Sequence, residues 1–261
     1  MGVLDSFKLD GKVALVSGAN HGIGEGIAIA LAEAGADVAL AARSVPDLER
    51  VAAIIRAGGR RAVVLPTDVN DLNQITAMVE GAEKQLGRID ILANVAGVAR
   101  RKSILNVTIE DWNYIMDVNL RGAFFVAREA ALAIKRQSGG GKIINIASMT
   151  AYRGFNDVSL YGMSKAAIIE MTRMMAVEWA EFNIQVNAIA PGWIDTPMTA
   201  SMSSERRTWV EDHVPQHKYG VPADIATLAV YLASPASDYT TGQTIPVDGG
   251  FIAGNPWPPL P

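Results

Sequence analysis

The chain contains no cysteine, so disulfide bonds, thiolate metal sites and cysteine nucleophiles are excluded. No apolar run reaches the roughly 18 residues that a membrane-spanning helix needs, and the first residues lack the apolar core of a secretory signal. Neither sign of charge is in large excess, because the chain has 23 Lys and Arg residues and 27 Asp and Glu residues. A net charge of −4 argues against nucleic acid or an anionic membrane as the main partner. We expect a cytoplasmic protein that acts on a small molecule and requires no metal.

Length and composition indicate one ordinary globular domain. The 261 residues are 49% apolar and 19% charged, which is enough apolar content for a sizeable core. No linker or break in composition divides the chain, so we expect a single domain over residues 1–261. The tail at residues 251–261 is rich in proline and therefore cannot form a helix or a central strand.

Apolar runs of strand length alternate with helix-length periodic segments. The runs occupy residues 12–17, 37–42, 62–66, 89–94, 142–147, 184–190 and 243–248. The patterns between them predict helices at about 24–34, 45–56, 71–85, 108–136, 158–181 and 222–232. Near-continuous apolar strands are typical of strands buried on both faces. The alternation predicts a Rossmann-type α/β fold: a doubly wound parallel sheet of about seven strands with helices on both faces.

A glycine-rich turn, S-G-A-N-H-G-I-G at residues 17–24, joins the first strand to the first helix. A loose glycine pattern is weak evidence alone, but this one has the strand–turn–helix context of a dinucleotide site. Gly18 permits the sharp turn, and Gly22 and Gly24 let the backbone approach a pyrophosphate at the helix N-terminus. The alternative is a tight turn with no ligand. Because ligands concentrate at such points of the fold, we expect a dinucleotide here.

The end of the second strand favours NADP over NAD. A carboxylate about 20 residues past the glycines would bind the ribose hydroxyls of NAD, but the chain has Ala41, Ala42, Arg43 and Ser44 there. With no carboxylate to repel a 2′-phosphate, Arg43 can pair with that group, and His21 offers a further donor. The alternative is that Arg43 is a solvated loop charge.

Three polar residues around the fifth strand form a candidate proton-transfer site. Ser148 ends the run at residues 142–147, Tyr161 follows thirteen residues later, and Lys165 lies four residues beyond it. The i, i+4 spacing places Tyr161 and Lys165 on one face of a helix. The pKa of a free tyrosine is near 10, about three units too high for proton transfer at neutral pH. A nearby cation favours the phenolate and so lowers this pKa. These three residues predict a reversible carbonyl–alcohol reaction. The alternative is that their roles are structural, with Tyr161 and Lys165 on an ordinary helix face and Ser148 as a helix cap.

Further motifs extend the pattern along the chain. They are Asp68-Val69, N-V-A-G at 94–97, Asn119, P-G-W-I-D-T at 191–196 and V-D-G-G at 247–250. Together with the glycine turn and the Ser148, Tyr161 and Lys165 set, they resemble the short-chain dehydrogenase/reductase (SDR) family over residues 9–250. The sequence around G-V-A-R-R and K-I-I-N-I-A-S-M is most similar to the sugar-acid members of this family, of the gluconate 5-dehydrogenase and 2-deoxygluconate dehydrogenase type. Ser17 replaces the usual threonine, and Val95 replaces a usual asparagine, which implies one lost polar contact.

The resemblance implies a role for each of four catalytic residues. Tyr161 is the general acid/base, Ser148 binds the substrate oxygen, Lys165 lowers the Tyr161 pKa and binds ribose, and Asn119 belongs to a water-linked proton relay. The resulting cofactor-binding set is Gly18, Asn20, His21, Gly22, Ile23, Gly24, Arg43, Asp68, Val69, Asn94, Ala96, Gly97, Tyr161, Lys165, Pro191, Gly192, Ile194 and Thr196. The implied reaction is NAD(P)-dependent hydride transfer with a secondary alcohol or ketone of a sugar, sugar acid or polyol.

Substrate specificity is expected from the loops that follow the strands. Residues 193–217 form an irregular insert that we expect to act as a mobile lid, with His213 and His217 in packing roles. Arg100 and Arg101 offer a grip for a carboxylate or polyol, or are solvated charges. The candidate substrate contacts are Arg100, Arg101, Met149, Asn156 and Trp193. Two alternatives stay open: a 3-oxoacyl-thioester or general carbonyl reductase, and a non-catalytic protein that senses NADP(H).

The two longest predicted helices carry more apolar positions than one sheet face needs. These positions are Phe124, Phe125, Met171, Met174, Met175 and Trp179. The resemblance implies that such helices pair between subunits, as a homotetramer or a dimer. The tail either reaches a neighbouring subunit, with Trp257 as its anchor, or frays.

Overall fold

Seven parallel strands form the centre of the protein. In a computed structural model that describes residues 2–137 and 139–254, they are β1 (Val13–Ser17), β2 (Asp37–Ala42), β3 (Ala62–Pro66), β4 (Ile91–Asn94), β5 (Gly141–Ile146), β6 (Ile184–Pro191) and β7 (Thr244–Val247). They belong to one sheet in the order β3-β2-β1-β4-β5-β6-β7. This order confirms the predicted doubly wound sheet, and its reversal beside β1 opens a crevice at the carboxyl ends of the strands.

Helices cover both faces of the sheet. They are α1 (Gly22–Glu33), α2 (Val45–Ala57), α3 (Leu72–Leu86), α4 (Ile109–Met116), α5 (Ala123–Arg136), α6 (Ser159–Glu178), α7 (Pro197–Ala200), α8 (Ser204–His213) and α9 (Pro222–Ala233). Alternate strand residues point to opposite faces. Leu15 therefore joins the core beneath α3, α5 and α6, whereas Val16 joins the core beneath α1, α2 and α9.

The helix predicted over residues 108–136 is in fact interrupted. A π-helical turn at Asp117–Gly122 separates α4 from α5. A side chain on Gly122 would lie 2.7 Å from the Val69 carbonyl oxygen, so the chain passes close to the end of β3 here. The turn also directs the Asn119 amide to the backbone of Val98, which it contacts through two hydrogen bonds. These contacts explain the break between α4 and α5, which the spacing of apolar residues in the sequence does not reveal.

The segment at residues 193–217 is not irregular as predicted, because it contains α7 and α8. The Ser203 hydroxyl caps α8 by accepting from the Arg206 amide at 3.4 Å. Only Trp209 and Val210 are apolar within the helix, too few to produce a helical period in the sequence. Its caps, not its hydrophobic pattern, mark it as a helix.

The described part of the proline-rich tail, residues 251–254, forms neither helix nor strand. Its first residue, Phe251, is completely buried. Trp257, the expected anchor on a neighbouring subunit, lies outside the described residues. Within residues 2–137 and 139–254, no helix combines the length and the hydropathy that a membrane crossing needs.

Candidate active site

A cleft of about 310 Å³ lies at the carboxyl edge of the sheet. Its walls come from the β1–α1 turn, the ends of β2, β3 and β4, and the first turns of α6. We call this the main cleft; its lining residues are Gly18, Asn20, His21, Gly22, Ile23, Gly24, Ala41, Ala42, Arg43, Ser44, Thr67, Asp68, Val69, Asn70, Val95, Ala96, Gly97, Val98, Tyr114, Val118, Ile146, Tyr161, Lys165, Thr196 and Met198.

Most of the predicted cofactor residues line the main cleft. Four of them do not: Asn94, Pro191, Gly192 and Ile194. Ala41, Ala42 and Ser44 also line the main cleft, and their position beside Arg43 in the sequence was enough to predict it. Tyr114 and Met198 line it as well, but no sequence pattern indicates them, because they reach the cleft only through the packing of α4 and α7.

The glycine turn leaves space that a side chain would fill. Gly18 has a φ of +69°, and a Cβ there would lie 2.8 Å from the Ala96 amide nitrogen. A Cβ on Gly24 would lie only 2.0 Å from the Gly18 carbonyl oxygen. Such contacts require glycine and let a ligand reach the backbone at the start of α1. The turn therefore fits the pyrophosphate of a dinucleotide.

Two arginines lie near the glycine turn: Arg43, before α2, lines the main cleft, whereas Arg50, within α2, does not. Arg43 is exposed on the cleft wall and forms no hydrogen bond or ion pair with any residue that the structure describes. Arg50, which sequence reasoning missed, pairs with both Glu25 carboxylate oxygens at 2.6 and 2.8 Å. It also donates to the Asn20 carbonyl at 3.2 Å. Arg50 therefore fixes the glycine turn, whereas Arg43 is available to an anion.

The Asn94 side chain faces away from the main cleft, against the expectation of a cofactor contact. The sheet register aligns Ser17, Asn94 and Asn145 in one row across β1, β4 and β5. Ser17 Oγ donates to Asn94 Oδ1, Asn94 Nδ2 donates to Asn145 Oδ1, and Asn145 Nδ2 donates to Thr172 Oγ1 on α6. All four residues are buried. The amide therefore belongs to a polar row inside the core, where each buried group needs a partner.

The serine at position 17 keeps the hydroxyl that the resemblance leads one to expect from threonine. Its Oγ accepts hydrogen bonds from the amides of Val95 at 3.0 Å and Ala96 at 3.3 Å. The Val95 side chain packs against the core beneath α1 and α2. The loop after β4 is thus held through its backbone, which does not depend on an asparagine at position 95.

Ser148, Tyr161 and Lys165 come together where β5 ends. The Ser148 hydroxyl accepts a hydrogen bond from the Thr150 hydroxyl at 3.0 Å, and it lies close enough to the Tyr161 phenol to lower the pKa of that group. Lys165 Nζ donates to the Ile146 carbonyl at 2.7 Å and lies 5.7 Å from the centre of the Tyr161 ring. The i, i+4 spacing therefore aligns both side chains as predicted.

Burial dominates the ionisation of this group. Desolvation raises the pKa of Tyr161 above its ordinary value, and the neighbouring Ser148 hydroxyl opposes that rise. Desolvation lowers the pKa of Lys165 from 10.5 to about 8. The expected lowering of the tyrosine pKa by Lys165 is therefore not produced by the protein groups alone. The ammonium is directed at the Ile146 carbonyl, and the low-dielectric surroundings disfavour both charged forms.

Asn119 reaches the same helix through Ser164. Asn119 Nδ2 donates to Ser164 Oγ at 3.1 Å, and Ser164 Oγ donates to the Tyr161 carbonyl at 2.7 Å. A Cβ on Gly97 would lie 3.4 Å from Asn119 Oδ1 and 3.5 Å from Lys165 Nζ. The missing side chain leaves Asn119 and Lys165 facing a shared space.

None of the five candidate substrate residues lines the main cleft. Arg100 pairs with the buried Asp111 at 2.7 Å, and Lys102 pairs with the same carboxylate. Arg101, between them, is exposed and makes no hydrogen bond or ion pair within residues 2–137 and 139–254. The sequence does not distinguish the roles of these two arginines, but the structure does. Arg100 fixes its loop, and Arg101 projects from it.

The other three candidates lie around the segment that follows Ser148. Met149 is buried and Asn156 is exposed. The Trp193 ring packs edge-on against Phe155, with 5.9 Å between ring centres. The lid histidines contact backbone carbonyls, His213 that of Trp209 and His217 that of Glu211. Among the described residues, no group of three or more His, Asp or Glu suited to a metal occurs.

Comparison with known proteins identifies the family. A family model described as Enoyl-(Acyl carrier protein) reductase matches residues 18–252. The 2-dehydro-3-deoxy-D-gluconate 5-dehydrogenase of Dickeya dadantii (strain 3937) is 41% identical over 255 residues, covering 96% of this chain and 99% of that protein. The 3-oxoacyl-(acyl-carrier-protein) reductase of Thermotoga maritima is 36% identical over 247 residues, covering 94% and 99%. The chain belongs to the short-chain dehydrogenase/reductase family.

Two solved structures share the whole architecture. A gluconate 5-dehydrogenase from Burkholderia cenocepacia J2315, in complex with NADP and tartrate, has a TM-score of 0.93 at 34% identity, covering 97% of this chain and 100% of that one. A 7α-hydroxysteroid dehydrogenase complexed with NADH and 7-oxo glycochenodeoxycholic acid has a TM-score of 0.92 at 34% identity, covering 96% and 98%. The protein is an NAD(P)-dependent oxidoreductase that acts on CH–OH groups.

Proposed function

We propose that the protein interconverts a secondary alcohol and a ketone on a sugar acid, with NADP as its preferred cofactor. The observation that carries the proposal is the meeting of Ser148, Tyr161 and the buried Lys165 at the end of β5, where Tyr161 and Lys165 line the main cleft. When bound, the nicotinamide supplies or accepts the hydride. The glycine turn, Asp68, Val69 and Thr196 would hold the dinucleotide.

The protein's own groups handle the proton and the orientation. The Tyr161 hydroxyl gives its proton to the carbonyl oxygen during reduction, and the Tyr161 phenolate takes a proton from the alcohol during oxidation. The Ser148 hydroxyl donates to the same substrate oxygen and so fixes its position. Lys165 would bind ribose, and its charge together with the positive nicotinamide of the oxidised cofactor would favour the phenolate. Asn119, which faces the space beside Lys165, supports a proton path away from the tyrosine.

Arg43 supports the preference for NADP. Its guanidinium is exposed on the cleft wall, and no described residue pairs with it. A phosphate on the adenosine ribose would form charge-assisted hydrogen bonds there, and no carboxylate at the end of β2 opposes it.

A sugar acid is supported by the relatives and by Arg101. The 41% identity to a 2-dehydro-3-deoxy-D-gluconate 5-dehydrogenase extends over nearly the full length of both chains. Arg101, in the loop after β4, offers an exposed cation that no described residue pairs with, whereas Arg100 and Lys102 are paired with Asp111. A free guanidinium suits a substrate carboxylate.

The surface of α4, α5 and α6 supports self-association. These helices border an apolar groove of about 670 Å³ that includes Trp112, Phe124 and Met174, which are 41, 43 and 54% exposed. Exposed apolar surface of this kind is typical of protein interfaces. We propose a homotetramer, or a dimer, in which a second copy covers the groove.

Absorbance at 340 nm, followed with a panel of sugar acids and their keto forms, tests the proposal with NAD and NADP in parallel. We expect turnover of a keto-deoxy sugar acid, faster with NADP. Faster reduction of 3-oxoacyl thioesters would instead support the alternative that the Thermotoga maritima relative suggests. Tight NADPH binding without turnover of any carbonyl or alcohol would contradict the proposal and favour a cofactor sensor.

A further inference from the structure

Phe251 lies at the centre of an aromatic contact that joins three distant segments. Its ring stacks on Phe155 at 5.7 Å and meets Trp209 of α8 at 6.3 Å between ring centres. The Arg153 guanidinium lies 4.7 Å from the ring centre, and Arg153 Nη1 donates to the Phe251 carbonyl at 3.3 Å. One residue near the end of the chain therefore contacts both the lid helix and the loop that follows Ser148.

These contacts belong to a small core that is separate from the two cores of the sheet. Its buried members are Met149, Val210, Val214 and Phe251. Phe155, Trp193, Met202, Tyr219 and Ile252 pack around it. We call this set the lid core. Met149 follows Ser148 directly, and Val210 and Val214 belong to or follow α8, so the lid core ties the predicted lid to the catalytic end of β5.

The backbone around Phe251 is held as firmly as its ring. The Asp248 carboxylate accepts hydrogen bonds from the Gly250 amide at 2.9 Å and the Ile252 amide at 2.8 Å. Gly249 has a φ of +64°, and a Cβ there would lie 2.7 Å from Val214. The turn therefore requires glycine in order to approach the lid closely and to direct the Phe251 ring inward.

No residue of the lid core lines the main cleft. We propose that Phe251 is a positioning residue for the substrate side of the site. It fixes α8 and Val214 against the segment after Ser148, and so sets the KM for the substrate with little effect on cofactor affinity, because the cofactor residue Thr196 lies outside the lid core. This proposal rests on the proposed function for its kinetic part, since it assumes that the site turns over a carbonyl substrate.

Replacing the ring tests the proposal. In Phe251→Ala we expect the substrate KM to rise at least tenfold, with NADPH affinity within twofold of the wild type. Phe251→Leu should recover most of the KM, because an apolar side chain of similar volume refills the lid core. Trp209→Ala, at a partly exposed position, gives a second route if Phe251→Ala does not fold. Phe182→Ala, in the core beneath α6, is the control for the loss of an aromatic ring elsewhere.

Hydrogen exchange provides a readout that does not depend on turnover. In Phe251→Ala we expect the amides of α8 to exchange at least tenfold faster, while those of β1 and α1 keep their rates. Unchanged KM and unchanged α8 exchange would overturn the proposal, as would exchange that accelerates equally throughout the sheet. A wild-type protein that turns over nothing would contradict the proposed function, and the exchange of α8 would still decide whether Phe251 fixes the lid.

Discussion

The Lys165 ammonium donates a hydrogen bond of 2.7 Å to the carbonyl of Ile146, two residues before Ser148 on the chain. This bond joins α6, which carries Tyr161, to the end of β5, so the tyrosine and the serine keep their relative positions. Lys165 is buried, and burial lowers its pKa to about 8. The site therefore retains a cation that destabilises the fold around it, which is common for functional groups.

The lowered pKa of Lys165 makes a prediction about stability. Because the folded state disfavours the ammonium, the unfolded chain binds more protons between pH 8 and 10.5, and the lysine's penalty is relieved as the pH rises through that window. The free energy of unfolding of the wild type, relative to Lys165→Met, should rise by about 3 kcal/mol across it. Urea unfolding at a series of pH values measures this; parallel profiles for the two proteins would contradict it.

The unpaired Arg43 makes a prediction about cofactor choice. Arg43→Ala should weaken NADPH binding by roughly 10- to 100-fold, because charge-assisted hydrogen bonds to the phosphate are lost. NADH binding should change little. Fluorescence titration measures both affinities, and Lys84→Ala on the exposed side of α3 controls for the loss of one positive charge. Equal NADPH affinity in Arg43→Ala and the wild type would remove the basis for the NADP preference.

The different surroundings of Arg100 and Arg101 predict different kinetic effects. Arg101→Ala should raise the KM for a sugar acid by roughly tenfold or more, since an ion pair with the carboxylate is lost. Arg100→Ala should change the KM less, because Arg100 is occupied by Asp111. Steady-state kinetics with a sugar acid and with its uncharged alcohol analogue separate the two roles. A larger KM effect from Arg100→Ala would reverse the assignment.

The apolar groove predicts the effect of a charge at its surface. Phe124→Glu and Met174→Glu should each dissociate the assembly, because an interface would bury an unpaired carboxylate at a cost of several kcal/mol. Ile54→Glu, at an exposed apolar position on α2 outside the groove, is the matched control. Sedimentation velocity measures the mass. If both groove variants keep the wild-type mass, the groove is not the interface.

The sequence was sufficient for the sheet and for most of the main cleft. Strand burial on both faces and strand–helix alternation are periodic signals, so the strand bounds were close to those observed. The glycine turn and the spacing of Tyr161 and Lys165 are local patterns. The geometry of a turn or a helix alone places such residues next to one another.

The remaining features depend on packing between distant segments. The direction of the Asn94 amide follows from the register of three strands, which the sequence of one strand does not contain. The π turn at Asp117–Gly122 lies inside a continuous helical period, and the pairing of Asp111 with Arg100 depends on how a loop folds back. Phe251 resembles part of a frayed tail in the sequence because its partners, Phe155 and Trp209, are far away along the chain.

The rate of NADPH oxidation by Tyr161→Phe tests the central claim most directly. Removing the phenolic hydroxyl leaves the cleft intact but removes the proton donor, so kcat should fall by roughly a thousandfold or more. NADPH affinity, measured on the same preparation by fluorescence, should stay within threefold of the wild type. Turnover within tenfold of the wild-type rate would contradict the account, because the proton would then come from another group.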